Sequence, residues 1–146
     1  MAKKRLTPQD RLALEGWNEL VASIRESSDI NPADSTAEIE TRKKRLETDD
    51  EAWFRYYFAQ YYTCEPAIFH KRATKRFMSH DRWYEVRAWS RELAKSARAM
   101  MEIIKLALTR RVRNVLLISN SGDNAQRLLL PFMANMEENQ RIIQDY

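Results

Sequence analysis

The stretch that decides the fold prediction is Tyr84-Glu85-Val86-Arg87-Ala88-Trp89-Ser90-Arg91-Glu92-Leu93-Ala94-Lys95-Ser96. Its first half, residues 84–89, has the character of a short apolar strand that ends in a tight loop. The pair Lys95-Ser96 then opens a helix that we expect to continue to about residue 109. A second apolar run follows at residues 115–118, Val-Leu-Leu-Ile, as is typical of a strand buried on both faces of a parallel sheet. The order strand, helix, strand predicts an α/β fold.

A strand, a loop and a helix that begins at Lys-Ser form the layout of a phosphate-binding loop. In that layout, backbone N–H groups and the helix N-terminus face the phosphates. The lysine reaches the terminal phosphates of ATP, and the serine hydroxyl binds Mg²⁺. The strict pattern is G-x-x-x-x-G-K-[ST], and here Trp89 and Ala94 stand in place of its two glycines. The alternative is an ordinary strand-to-helix turn, with Ser90 as the N-cap and Lys95 solvated on the helix surface.

Residues 90–96, Ser-Arg-Glu-Leu-Ala-Lys-Ser, resemble the deviant Walker A loop of large terminase subunits, the ATPases that package viral DNA. In that family the loop carries Ser-Arg, two variable residues, a small residue, and then Lys with Ser or Thr. The resemblance also includes Trp53 with the Tyr-rich segment after it, and residues 113–121. It implies an ATPase in the host cytoplasm that drives viral double-stranded DNA into procapsids. Its partners would be the portal and the small terminase subunit, with no membrane involved.

The resemblance also assigns roles to individual residues. It implies a nucleotide-binding set made of Ser90, Arg91, Glu92, Leu93, Ala94, Lys95 and Ser96. Within it, Arg91 and Lys95 would be catalytic, with Arg91 sensing or stabilising the γ-phosphate, and Ser96 would be the Mg²⁺ ligand. His70 lies in the region where the family places the polar residue that recognises adenine. Glu92 brings a negative charge close to the phosphates, which is unfavourable unless its side chain points away.

The resemblance places the Walker B strand beyond residue 146, and the chain contains no second apolar run that ends in Asp-Glu. We therefore expect residues 49–146 to be the N-terminal part of a P-loop NTPase domain of the RecA-like type, with about two parallel strands. Residues 1–48 are predicted to form a helical N-terminal arm, whose second helix, at residues 35–48, is strongly charged. Because the Walker B and nuclease residues are missing, we expect no hydrolysis by the chain alone.

Two further helices are predicted to build the core. The first, at about residues 51–62, is rich in aromatic side chains, which at this spacing are more often core than a surface for stacking bases. The second is the helix that starts at Lys95. Its surface is apolar except for one narrow polar stripe formed by Arg98, Glu102, Lys105 and Thr109.

Length and composition allow a different interpretation. A chain of 146 residues with 44% hydrophobic and 32% charged residues fits one soluble globular domain. Its net charge of +4 permits an acidic partner such as nucleic acid. The chain could be a small, basic, mainly helical module that binds nucleic acid or a protein without catalysis. Its phosphate-contacting face would consist of Lys71, Arg72, Lys75, Arg76, Arg110, Arg111 and Arg113. A third possibility is a remnant without independent activity.

Overall fold

A computed structural model describes residues 7–146, and this part of the chain folds into seven α-helices. In chain order they are α1 (Pro8–Ser27), α2 (Thr36–Glu47), α3 (Asp50–Tyr57), α4 (Ile68–Met78), α5 (Lys95–Leu108), α6 (Gly122–Glu138) and α7 (Gln140–Asp145). A single 3₁₀ turn, Ala59–Tyr61, lies between α3 and α4. None of the helices described is long and apolar enough to span a membrane.

Short polar side chains fix where several of these helices begin. Ser35 accepts a hydrogen bond from the Glu38 N–H, and the Glu38 carboxylate accepts one from the Ser35 N–H at 2.8 Å, which completes a capping box at the start of α2. The side chains of Asp49 and Ser121 also accept hydrogen bonds from backbone N–H groups, at the starts of α3 and α6. These local bonds satisfy N–H groups that have no partner within the helix.

The hydrophobic core lies where α2, α3, α5 and α7 meet. Its buried members are Leu46, Trp53, Phe54, Tyr57, Phe58, Met100, Met101, Ile104 and Ile142. The prediction that the aromatic segment forms core is confirmed, since four of its rings are at most 1% exposed. The Trp53 ring meets Phe54 edge to face, with 5.6 Å between the ring centroids. Rings in this arrangement stabilise a core beyond the area that they bury.

The charged helix α2 is exposed along most of its length but is anchored at two points. Leu46 is buried in the core, and the Arg42 guanidinium forms ion pairs with Asp34 at 2.5 Å and with Asp145 at 2.6 Å. The second pair ties α2 to the C-terminal helix α7. The packing partners of this predicted arm therefore lie within the chain, in α3 and α7.

The predicted α/β fold, a partial P-loop NTPase with two parallel strands, is wrong: residues 7–146 contain helices and no strand. In this described part of the chain, residues 84–89 and 115–118 take part in no backbone–backbone hydrogen bond. A strand is stable only when its N–H and C=O groups pair with a neighbouring strand, and these two segments do not pair. The run at 115–118 is also largely open to solvent, with Leu116 82% and Ile118 80% exposed.

The polar stripe on α5 faces the protein interior. Arg98 is 3% exposed, Glu102 1% and Lys105 3%. The Lys105 ammonium donates to the Glu47 carbonyl at 3.1 Å and to the Asp50 carboxylate at 2.8 Å. Each buried charge is thus paired, as its removal from water requires.

Candidate functional site

The loop of residues 90–94, which leads into α5, has an unusual backbone. Glu92 and Ala94 both have left-handed conformations, with φ of 66° and 51°. Such values are unfavourable for any residue that carries a Cβ, and they occur preferentially where function constrains the chain. Where successive residues adopt an αR–αL or turn conformation, their N–H groups can form a concavity that suits an anion.

Helix α5 begins at Lys95, as the sequence predicts, and Ala94 is its N-cap residue. The alternative prediction that Ser90 caps the helix is wrong. Ala94 has no polar side chain, so it makes no capping hydrogen bond to the first turn. The N–H groups of the first turn have no partner within the helix, so they remain available to a ligand. The helix dipole adds partial positive charge at the same place.

The Lys95 side chain folds back over the loop. Its ammonium donates a hydrogen bond to the Trp89 carbonyl at 3.1 Å. This bond links the residue that follows the loop to the residue that precedes it. Ser90, Arg91, Glu92 and Ser96 are all exposed around this closed loop, and Leu93 is 38% exposed. All seven residues that the resemblance assigns to nucleotide binding are therefore exposed at the N-terminus of α5.

His70, from the first turn of α4, lies against the same loop. Its Nε2 is 3.0 Å from the Leu93 carbonyl oxygen, and its Nδ1 accepts the Ala67 N–H at 3.1 Å. The imidazole also meets the Trp89 ring edge to face, with 5.1 Å between centroids. The structure thus brings the predicted residue His70 together with the loop. Both ring nitrogens are already engaged there.

A cluster of buried charges, which the sequence prediction did not identify as part of the site, lies behind the loop. Arg98 forms an ion pair with Glu51, and its Nε donates to the Thr74 hydroxyl at 2.8 Å. That hydroxyl donates in turn to the Glu102 carboxylate. Burial raises the pKa of Glu102, and its contacts with Thr74, Arg87 and Arg98 oppose that increase. The sequence signal was the narrow polar stripe of α5, in which Arg98 and Glu102 stand four residues apart.

Arg87 connects this cluster to the start of the loop. Its Nη1 lies 2.7 Å from the Glu102 carboxylate, but neither Nη atom has a well-aligned hydrogen bond in the described chain, so the contact is an ion pair. The guanidinium also lies over the Trp89 ring, 5.4 Å from its centroid. On its other side, Nε donates to Glu85 at 3.1 Å. Burial alone would raise the pKa of Glu85, and hydrogen bonds from Trp83 and Arg87 outweigh it and lower that pKa.

The basic residues of the alternative interpretation lie along α4 and in the segment that follows α5. Arg111 Nη1 donates to the Met78 carbonyl at 2.6 Å, and this bond holds Arg111 against the C-terminal end of α4. Lys75 and Arg111 line one groove, which Glu47 and Asp50 also line. The other basic residues of this set are exposed; they are Lys71, Arg72, Arg76, Arg110 and Arg113.

The metal ligand that the resemblance predicts is Ser96, which lies in the first turn of α5. Within residues 7–146, no group of three or more His, Cys, Asp or Glu side chains is placed to hold a metal ion. Mg²⁺ keeps several waters and binds through one or two protein oxygens together with substrate phosphates. The Ser96 hydroxyl in the first turn of α5 can supply one such oxygen.

Comparison of the chain with models of protein families, with curated proteins and with solved structures finds no match in any of the three. The function is therefore inferred from the loop residues and the geometry around them.

Proposed function

We propose that the chain binds the phosphates of ATP, together with Mg²⁺, at residues 90–96. The observation that carries this proposal is the form of the loop: two left-handed residues precede an uncapped helix start, and the lysine at that start folds across the loop. Backbone N–H groups, a helix dipole and an ammonium group then converge on one place, which is the requirement for binding a polyphosphate.

Each part of the loop has a defined role in this proposal. The N–H groups from Ala94 to Ala97 donate to the β-phosphate oxygens. The Lys95 ammonium leaves the Trp89 carbonyl and bridges the β- and γ-phosphates. The Ser96 hydroxyl ligates Mg²⁺, whose other ligands are phosphate oxygens and water. Arg91, which is exposed beside the loop, approaches the γ-phosphate.

The resemblance of residues 90–96 to the terminase loop suggests what this binding serves. We propose that it contributes the nucleotide-binding step of an ATPase that packages viral double-stranded DNA, with the portal and the small terminase subunit as partners. The proposal for this chain is limited to binding. Hydrolysis also requires an acidic residue that holds Mg²⁺ and a group that orients the attacking water.

The proposal is tested by titrating the chain with a fluorescent ATP analogue in the presence of Mg²⁺. Lys95→Ala removes a charge-assisted hydrogen bond, and we expect affinity to fall roughly tenfold to a hundredfold. Lys71→Ala is the matched control, because it removes the same charge from an exposed position on α4. Equal binding by the Lys95 and Lys71 variants, or no binding by a wild-type chain with intact helical circular dichroism, would contradict the proposal.

A second candidate function is supported by the bond from Arg111 to the Met78 carbonyl, which holds the basic segment after α5 against α4, the helix that carries the other basic cluster. Under this proposal the chain binds nucleic acid phosphates there without catalysis. Arg113→Ala should then weaken duplex DNA binding and reduce the slope of log affinity against log salt by about 1. Lys95→Ala should leave DNA binding unchanged. An unchanged salt slope in the Arg113 variant would exclude this face.

A further inference from the structure

We propose that His70 is a positioning residue, which holds the phosphate loop in its binding conformation through the carbonyl group of Leu93. This inference rests on the proposed function, and it replaces the role in adenine recognition that the resemblance suggests for His70. The histidine would act from outside the loop, on the peptide that precedes the first residue of α5.

The hydrogen bonds of His70 determine which ring nitrogen carries the proton. The Ala67 N–H can only donate, so Nδ1, at 3.1 Å from that nitrogen, must be the unprotonated acceptor. A neutral imidazole then carries its proton on Nε2, which is the nitrogen 3.0 Å from the Leu93 carbonyl. One tautomer satisfies both contacts, and it leaves neither nitrogen free to read a base.

The bond to Leu93 constrains the N–H group that the phosphates need. The Leu93 carbonyl and the Ala94 N–H belong to the same planar peptide unit and point in opposite directions. By fixing the carbonyl towards α4, His70 turns the Ala94 N–H to the other side. The residues on either side of Leu93, Glu92 and Ala94, are both left-handed, so the loop needs outside support to keep this form.

His70 is itself held firmly enough to give that support. Its backbone N–H donates to the Ala67 carbonyl at 3.0 Å in the first turn of α4. Its ring lies 4.1 Å from the Phe69 ring centroid and 5.1 Å from that of Trp89. Since Trp89 also accepts the Lys95 hydrogen bond, the histidine contacts both ends of the loop.

Two substitutions separate the support of the loop from the capping of α4. In His70→Gln, the side-chain oxygen can accept the Ala67 N–H and the amide nitrogen can donate to the Leu93 carbonyl. In His70→Glu, the carboxylate can cap α4 but has no donor for that carbonyl. Lys44→Ala is the control for charge, because it changes the net charge by the same single unit at an exposed position on α2, outside both proposed binding sites.

The first measurement is the ¹⁵N order parameter of the Ala94 and Lys95 amides in the ligand-free chain. We expect the value of a rigid backbone, about 0.85, in wild type, His70→Gln and Lys44→Ala, and a value below about 0.6 in His70→Glu. The second measurement is the affinity for the fluorescent ATP analogue with Mg²⁺. We expect His70→Gln to bind within about twofold of wild type and His70→Glu to bind at least about tenfold more weakly, a difference of roughly 1.4 kcal/mol.

Equal order parameters in the Gln and Glu variants would overturn the inference, and so would an imidazole nitrogen spectrum that places the proton on Nδ1. If the wild-type chain binds no nucleotide, the proposed function fails. The order parameters then still decide whether His70 holds the loop. His80→Gln serves as a second control, since His80 bonds to the Arg76 carbonyl at the other end of α4.

Discussion

The aromatic core around α3 and the two apolar segments at 84–89 and 115–118 differ sharply in burial. Trp53 and Phe54 are completely buried, whereas Tyr84 is 87% and Leu116 82% exposed. A helix satisfies its own backbone hydrogen bonds, so an apolar helix needs only a surface to pack against. A strand needs another strand as well. In the described chain, the residues of the hydrophobic core accordingly lie in helices, apart from Phe58, which directly follows α3.

The largest effect is expected from Trp53→Ala. This substitution leaves a cavity in the centre of the core and removes the indole N–H that donates to the Tyr146 hydroxyl at 3.1 Å. We expect the free energy of unfolding to fall by about 3–5 kcal/mol. Urea unfolding followed by circular dichroism measures it. A loss under about 1 kcal/mol would mean that the aromatic cluster is not the centre of the fold.

A somewhat smaller effect is expected from Arg98→Met, which leaves the buried Glu102 with only Arg87 as a charged partner. Breaking one side of a buried ion pair lowers the free energy of unfolding by about 3–5 kcal/mol. Because Arg87 remains beside Glu102, we expect a loss near the lower end of that range. Arg55→Met is the control, because Arg55 pairs with Glu65 on the open surface, where such a pair contributes about 0–1 kcal/mol. Similar unfolding free energies for the two variants would show that the charges behind the loop are solvated.

Tyr57→Phe tests how the stability of the core depends on pH. Burial, followed by the hydrogen bond to Asp145, raises the pKa of Tyr57 well above its ordinary value of 10.0. Because the pKa of Tyr57 is higher in the folded state, the buried phenol contributes stability that is fully present below pH 10. That contribution is lost as the pH rises above 10. At neutral pH the variant should lose about 1–3 kcal/mol, because Asp145 loses a buried donor.

At about pH 11, urea unfolding should show a smaller drop in stability for Tyr57→Phe than for wild type. A residual drop is expected in the variant, since burial also raises the pKa of Tyr56, Tyr61, Tyr62 and Tyr146. Parallel losses in the two proteins would contradict the assignment of this dependence to Tyr57.

The smallest effect is expected from Ile118→Ser. Its side chain is 80% exposed, so the free energy of unfolding should change by no more than about 0.5 kcal/mol. The same urea titration used for Trp53→Ala measures it. A loss above about 1 kcal/mol would show that residues 115–118 are covered in solution, and the contrast between the two regions would fail.

The helices were largely predictable because their signals are local. Ser35, Asp49 and the Lys95-Ser96 pair mark helix starts in the sequence, and α2, α3 and α5 begin at or beside them. The absence of a sheet from residues 7–146 was not predictable, because strand pairing depends on residues distant in sequence and composition does not report it. The prediction of a strand at 115–118 rested on an apolar run that contains Val and Ile, which favour strands, and no neighbouring strand in the described chain pairs with it.

Part of the geometry around the loop was predictable. The resemblance selected His70 and the loop as members of one site, and the structure places them in contact. The sequence could not show that Ala94 rather than Ser90 caps α5, because that depends on a left-handed backbone at a residue without a polar side chain. Nor could it show that Arg98 and Glu102 face inwards, since periodicity defines a stripe on a helix and tertiary packing decides what the stripe contacts.

The most direct test of the proposed phosphate site is the change in backbone amide NMR shifts when Mg²⁺ and ATP are added to the wild-type chain. If the loop binds phosphates, the largest changes will occur from Glu92 to Ala97, and residues 110–113 will be little affected. Changes centred on residues 71–76 and 110–113 would instead favour an anion-binding basic face. An unchanged spectrum of the folded chain at millimolar nucleotide would contradict the proposed phosphate site.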